Sequence, residues 1–288
     1  MKNVEQPKKD SAKGAALATT GTTALSTHVD YGDDAGKGYE GQSQADMTIP
    51  FLGVLQSNSP QITDREDCKP GMLINTVTEE VVDGLKQGLL FVPALTQHVF
   101  VEWKPRDKGG GFVALYQPEA DVVTKARQES KEFGKYKTPA GNDLVETFYI
   151  YAVLVDEDGV TPAQPVVISF ASTKIAVYKR WNTKIKMFQV STPDGRKQMP
   201  PLFAHLTRIK TVKDSNPKGD FFNFELVPAK GGLKDSLVPP GSPLLEEAKG
   251  FKKLVEQNSV KLAHDSTTKT EGAETGSETG GRKPGQPF

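Results

Sequence analysis

The chain is short of cysteine, has no long apolar run and carries no net charge, and each deficit removes a class of answer. A single cysteine, Cys68, in 288 residues rules out an internal disulfide framework and a multi-thiolate metal site, and it suits a reducing compartment. No apolar stretch approaches the ~20 residues that cross a bilayer. The basic start (Lys2, Lys8, Lys9, Lys13) leads into Ala, Thr and Gly, unlike the leucine-rich core of a secretory signal. The expectation is a cytoplasmic protein with no membrane contact. Metal and nucleotide signatures are also missing. His28, His98, His205 and His264 show no ligand spacing, and there is no nucleophile elbow, dinucleotide fingerprint or Walker loop. The reading is therefore binding without catalysis, with no cofactor and no metal.

Lys plus Arg and Asp plus Glu number 36 each, but the balance is not local. Between Lys174 and Lys218, eleven basic residues face only Asp194 and Asp214, a net charge of +9. Residues 1–46 contain no Phe, Ile or Trp and are rich in Ala, Thr, Gly, Lys and Asp. Such a segment buries too little apolar area to offset backbone entropy, so it is expected to be a disordered tail. A second flexible tail is expected over 261–288, with its Glu-Thr-Gly elements, which leaves one strand-rich binding domain over 47–260.

Within that domain the strand period dominates. Expected strands are Met72–Val77, Gly88–Leu95, His98–Trp103, Phe112–Tyr116, Leu144–Asp156, Pro165–Ala171, Leu202–Val212 and Phe221–Val227. Hairpin turns are expected at Asp158-Gly159 and at Asn216-Pro217-Lys218-Gly219. Three segments read as helix. One is short, with Pro50 in its first turn and Phe51, Leu52 and Leu55 on one side. A second runs from Thr173 to Phe188, where Tyr178, Trp181, Ile185 and Phe188 share a face opposite Lys179, Arg180, Lys184 and Lys186. The third spans Pro243–Gln257 with Ser242 as its cap. The implied class is mainly β: an oligonucleotide-binding (OB)-fold-like barrel with one central helix and a C-terminal helix, a β-sandwich with added helices being the alternative.

Two constellations carry chemistry. In the first, Lys104, Arg106 and Lys108 precede Gly109-Gly110-Gly111, flanked by Trp103, Phe112 and Tyr116. Glycines let a backbone approach phosphate, cations neutralise it, and a ring can stack on a base. A mobile hairpin loop would show the same glycines. The second is the basic helix, followed by a basic strand interleaved with Phe203, Phe221, Phe222 and Phe224; Phe221 and Phe222 must point to opposite faces, so one of them can be exposed. Asp156 and Asp158 with Glu146 form a possible metal cluster for phosphodiester cleavage, although a hairpin turn commonly carries solvated acids.

Ile49-Pro50-Phe51-Leu52 with Leu55-Gln56 and Ser59-Pro60, Trp103-Lys104-Pro105-Arg106, Gly109 to Phe112, and Lys179-Arg180-Trp181-Asn182 together resemble a family of tailed-bacteriophage early proteins. The resemblance covers about residues 30 to 225 and extends to phage single-stranded DNA-binding proteins of OB type. The terminal Pro287-Phe288, after Glu271, Glu274 and Glu278, is similar to the tail tip with which such proteins recruit partners, except that Arg282 and Lys283 stand where that pattern has acids. The resemblance implies a phage protein in the host cytoplasm that coats single-stranded DNA during replication or recombination. Phosphates would meet Lys104, Arg106, Lys108, Lys179, Arg180, Lys184 and Lys186, and bases would stack on exposed members of Trp103, Phe112, Tyr116 and Phe222. Replication or recombination proteins would dock on the tail tip, and a homo-oligomer is left open. The alternatives are an interaction protein that inhibits a host protein and a metal-dependent nuclease.

Overall fold

Val, Ile, Phe and Tyr alternate along the two longest strands so that both faces of a sheet become apolar, and a helix covers each face. The computed structural model describes residues 32–34, 37–41, 48–217, 219–257 and 261–262. Met1–Gln42 and Ser43–Phe288 are separate units. In the first, a 3-10 turn at Gly32–Asp34 is followed by an exposed Lys37–Asp34 ion pair of 2.7 Å.

In the second unit the strands are β1 (Thr48–Ile49), β2 (Phe51–Val54), β3 (Leu73–Asn75), β4 (Val81–Val82), β5 (Leu89–Lys104), β6 (Gly111–Tyr116) and β7 (Tyr136–Lys137). They continue as β8 (Asp143–Val155), β9 (Pro162–Ala171), β10 (Val190–Ser191), β11 (Lys197–Gln198), β12 (Thr207–Asn216), β13 (Gly219–Pro228) and β14 (Lys261–Leu262). The helices are α1 (Pro60–Asp64), α2 (Asp121–Glu129), α3 (Lys174–Met187) and α4 (Pro243–Glu256). Ten strands form one sheet in the order β13-β12-β5-β8-β9-β2-β3-β4, with β6 added to β5 and β7 to β8. The fold is mainly β, a curled half-barrel compatible with the OB-like expectation.

The curl brings edge strand β13 against the chain leaving β2. There the Gln56 side chain substitutes for a strand: its Nε2 donates to the Phe222 carbonyl and its Oε1 accepts from the Phe222 N–H, both at 2.8 Å. Gly71 lies against this junction with φ +88°, and a Cβ there would meet the Phe222 ring at 2.8 Å, so both conformation and space require glycine.

Several expected elements differ in detail. The two strands read around His98 are one, β5, in which Pro93 lacks a ladder donor and a bulge between Pro93 and Leu95 absorbs it. The bulge switches parity: Leu90, Val92 and Ala94 share a face with Val99, Val101 and Trp103. The short helix expected around Pro50 is strand instead. All four residues of β2 are buried, between β9 on one side and β3 on the other, so sheet pairing overrides the local cap signal. Pro60, not Pro50, opens the nearby helix α1. Leu202–Ala204 is a 3-10 turn before β12 begins. Helix α2 was not anticipated, because only Val123 and Ala126 of it are buried. Lys261–Leu262, expected in the flexible tail, pairs in parallel with Thr48–Ile49. Of the expected N-terminal tail only 32–34 and 37–41 are described, as a 3-10 turn and turns, and the rest of both expected tails, Pro287 and Phe288 included, falls outside the described residues.

Helix α3 lays Tyr178, Trp181 and Ile185 on the face made by Phe91, Ile150 and Phe170. Helix α4, capped by Ser242 Oγ accepting from Leu245 N–H at 3.3 Å, lays Leu244, Ala248 and Phe251 on the other.

Candidate nucleic-acid interface

Helix α3 contains no acidic residue, so none of its cations has an intrahelical partner. Lys179, Arg180, Lys184 and Lys186 are all exposed, and none forms an ion pair among the described residues. The C-terminal dipole of the helix favours Lys184 and Lys186, which lie in its last turn, but it does nothing for Lys179 and Arg180. Arg180 and Lys184 are like charges four apart, a small cost that an anion would reverse.

Beside this face lies a stack that the sequence did not disclose. The His98 ring lies 4.2 Å from Phe148, nearly parallel to it, and Phe148 stacks on Tyr178 at 4.7 Å. Lys179 Nζ stands 5.5 Å above the Phe148 ring. His98 Nε2 is 3.0 Å from Glu146 Oε1, and Phe100 continues the aromatic row toward Arg127, whose guanidinium lies 5.8 Å from that ring. His98, Glu146 and Phe148 are half-buried in the gap between the parts of the sheet covered by α3 and by α2. His98 and Phe148 are directly opposite across β5 and β8, a pairing visible only once the register is known.

The first constellation divides. Trp103 is only 7% exposed and belongs to the core, so it is unavailable as a stacking platform. Phe112, 37% exposed, packs edge-on against it at 5.9 Å and is the accessible ring of the pair. Tyr116 is on the opposite face, where its hydroxyl donates to Glu102 Oε2 at 2.7 Å. Phe222 is half-buried at the barrel closure, packed on Gly71. Lys104, Arg106 and Lys108 are exposed around a 3-10 turn at the end of β5. Gly109, Gly110 and Gly111 all have positive φ, with open space around the first two, so the turn demands glycine and also leaves the backbone approachable. Trp103 is five residues beyond His98, placing the loop about 17 Å along the strand from the aromatic stack.

The acids do not converge. Glu146 is ten residues before Asp156 on a strand that spans most of that distance, about 33 Å. Asp158 is committed to its own turn, accepting from the Val160 and Thr161 N–H groups at 2.8 and 2.9 Å, and these bonds with the Thr161 hydroxyl hold its carboxyl below the usual range. Glu157 pairs instead with Arg208 at 3.1 Å. No cluster of three or more His, Cys, Asp or Glu side chains suited to a metal occurs among the described residues.

Two buried polar groups complete the picture. Burial works against ionisation of Glu102, yet the Tyr116 hydroxyl, the Asn142 amide and the Thr138 hydroxyl together hold its pKa below the ordinary value. His205 is 1% exposed, neither ring nitrogen has a hydrogen-bond partner among the described residues, and burial lowers its pKa.

The family described as Pam3 phage gp34-like protein matches residues 18–261. The chain belongs to that phage protein family. No curated protein and no solved structure gives a match. The family match spans the whole curled sheet, α3 and α4, so the cationic helix and the His98–Phe148 stack both lie within the family's domain. No helix among the described residues is long and apolar enough to cross a membrane.

Proposed function

We propose that this phage protein binds single-stranded DNA in the host cytoplasm, coating exposed strands during replication or recombination without a catalytic step. The observation that carries this reading is the juxtaposition on α3 of four exposed cations, without carboxylate partners among the described residues, with the half-buried His98 and Phe148 rings, which stack on the buried Tyr178. Single-strand binders need those two elements together: charge tracking the backbone, and flat rings on which any base can stack. Lys104, Arg106 and Lys108 add cations at the far end of the β5 ribbon, where Phe112 lies on the Trp103 face of the sheet, opposite the one that carries α3. Trp103 and Tyr116 act by packing, and Phe222 by holding the barrel closure.

The test is a titration of a fluorescent 12-nucleotide single strand against the full chain without Mg²⁺. Binding should weaken steeply with salt, with a log–log slope of about −0.7 for each phosphate neutralised. Loss of the strand on adding Mg²⁺ would indicate cleavage instead. An affinity indifferent to salt, or no binding at low salt, would overturn the reading and leave the cationic helix as a surface for an acidic host protein.

A further inference from the structure

We propose that β6 is a docking edge for a second copy of this chain: two β6 strands pair antiparallel across a two-fold axis and join two sheets into one. β6 pairs with β5 on one side, and no strand is added on its other side among the described residues. The main-chain groups of Val113 to Tyr116 that point away from β5 have no partner among the described residues. Such a row of donors and acceptors is a template for a further strand.

The other free edges of the sheet are blunted. β4 and β7 are two residues long. β13 carries Asp220 and Glu225, ends on Pro228, which has no N–H, and is closed at Phe222 by the Gln56 side chain. β6 is six residues without a charge or a proline, and its Phe112 and Val113 are exposed. Its one protective device is the bulge that leaves Val113 without an opposite residue on β5, and beyond it Ala114 to Tyr116 keep regular pairing.

The two ends of β6 name the occupant. Before the strand stand the exposed cations Lys104, Arg106 and Lys108 against the single acid Asp107, a net charge of +2. After it stand the exposed acids Glu119 and Asp121, a net charge of −2 over 117–121. None of these side chains forms an ion pair among the described residues. An antiparallel pair about a two-fold sets the start of each β6 beside the end of the other, so cations meet acids at both ends of the joint. The same two-fold closes the pairing at two copies. It stands perpendicular to the sheet and so keeps the α3 faces of both copies on one side; what that offers a bound strand rests on the strand-binding reading, whereas the pairing itself does not. Six residues a side bury less than the ~1,600 Å² of a standard interface, so the dimer is weak and forms at high protein concentration.

The test is sedimentation equilibrium of the full chain without nucleic acid, from micromolar to several hundred micromolar protein. The parent should pass from monomer to dimer and no further. Val113→Lys, at an exposed position, gives β6 the charge that edges use against pairing and should weaken the dimer about tenfold or more. Arg106→Glu with Lys108→Glu, and separately Glu119→Lys with Asp121→Lys, should each stay monomeric. A mixture of these two double variants should dimerise, because every end of the mixed pair again faces the opposite sign. A parent that stays monomeric or associates past the dimer, a Val113→Lys variant that dimerises like the parent, or a mixture no more associated than its components overturns the proposal. Strand affinity is titrated separately and fails or stands by itself.

Discussion

The same sheet carries a helix on each face, and the two helices treat charge in opposite ways. On α4, Lys249 pairs with Glu246 at 2.8 Å and Lys252 with Glu256 at 2.7 Å, so the exposed side is self-neutralised and the helix serves as a lid on its core. On α3 there is no acid to pair with, and the exposed side is a cationic row beside an aromatic gap. Both helices bury a comparable apolar stripe, so packing does not require the difference. A surface optimised for solubility would mix signs, as α4 does. Both helices serve stability, and on the proposed function α3 alone would serve recognition.

The largest effect that tests this division is on the buried side. Trp181→Ala on α3 and Phe251→Ala on α4 should each destabilise the fold by about 3 to 5 kcal/mol, since both leave a cavity under a helix. Denaturant melts check this, and an unchanged midpoint for Trp181→Ala combined with lost strand affinity would make Trp181 a stacking surface rather than core.

A second experiment exchanges the exposed sides. Charge reversal of Lys179, Arg180 and Lys184 together should make the salt slope shallower by about two units, because counterion release counts the phosphates neutralised. Reversal of Lys249, Lys252 and Lys253 on α4 should leave the slope where it was. If the two triple variants behave alike, the protein responds to total charge and α3 has no special role.

Acid sensitivity separates the α2-covered part of the sheet from the rest. Glu102→Gln should cost on the order of 1 to 3 kcal/mol at neutral pH by breaking a network of three donors to a charged acceptor. Because the folded pKa of Glu102 is depressed below its ordinary 4.5, the stability it contributes is present above that value and is lost as pH falls through the folded pKa. The melting temperatures of parent and variant should therefore converge under acid, and a constant difference down to pH 3 would contradict the ionised network.

The smallest effect expected is at His205. Its folded pKa lies below the ordinary 6.5, so the unfolded chain binds the proton first and stability declines as pH falls from 6.5 toward the folded value. His205→Phe should flatten that part of the profile, and a parental profile already flat between pH 7 and 5 would show that His205 is not a cost to the fold.

Much of this molecule was legible as pattern. The 3.6 period of Tyr178, Trp181 and Ile185 located α3 and put its cations outside, and Ser242-Pro243 located the start of α4. The hairpin at Asp158-Gly159 and the mainly β class followed from alternation and turn chemistry. Other features were not legible, because their cause lies far away in the chain. Pro50 read as a helix start, but β9 and β3 recruit the following residues into the sheet. Trp103 and Tyr116, neighbours of a basic loop in sequence, are turned to opposite faces and used for packing.

Composition, period and local turn signals by themselves determined that the chain is strand-rich, where its two long helices run, and that one of them carries charge of a single sign. These are properties of residues within a few positions of one another. Only the tertiary structure decided which aromatics are accessible, since burial depends on register and on the Pro93 bulge that switches strand parity. It alone set His98 on Phe148, 50 residues apart, because cross-strand pairing and the curl of the sheet are choices among distant partners that no local window contains.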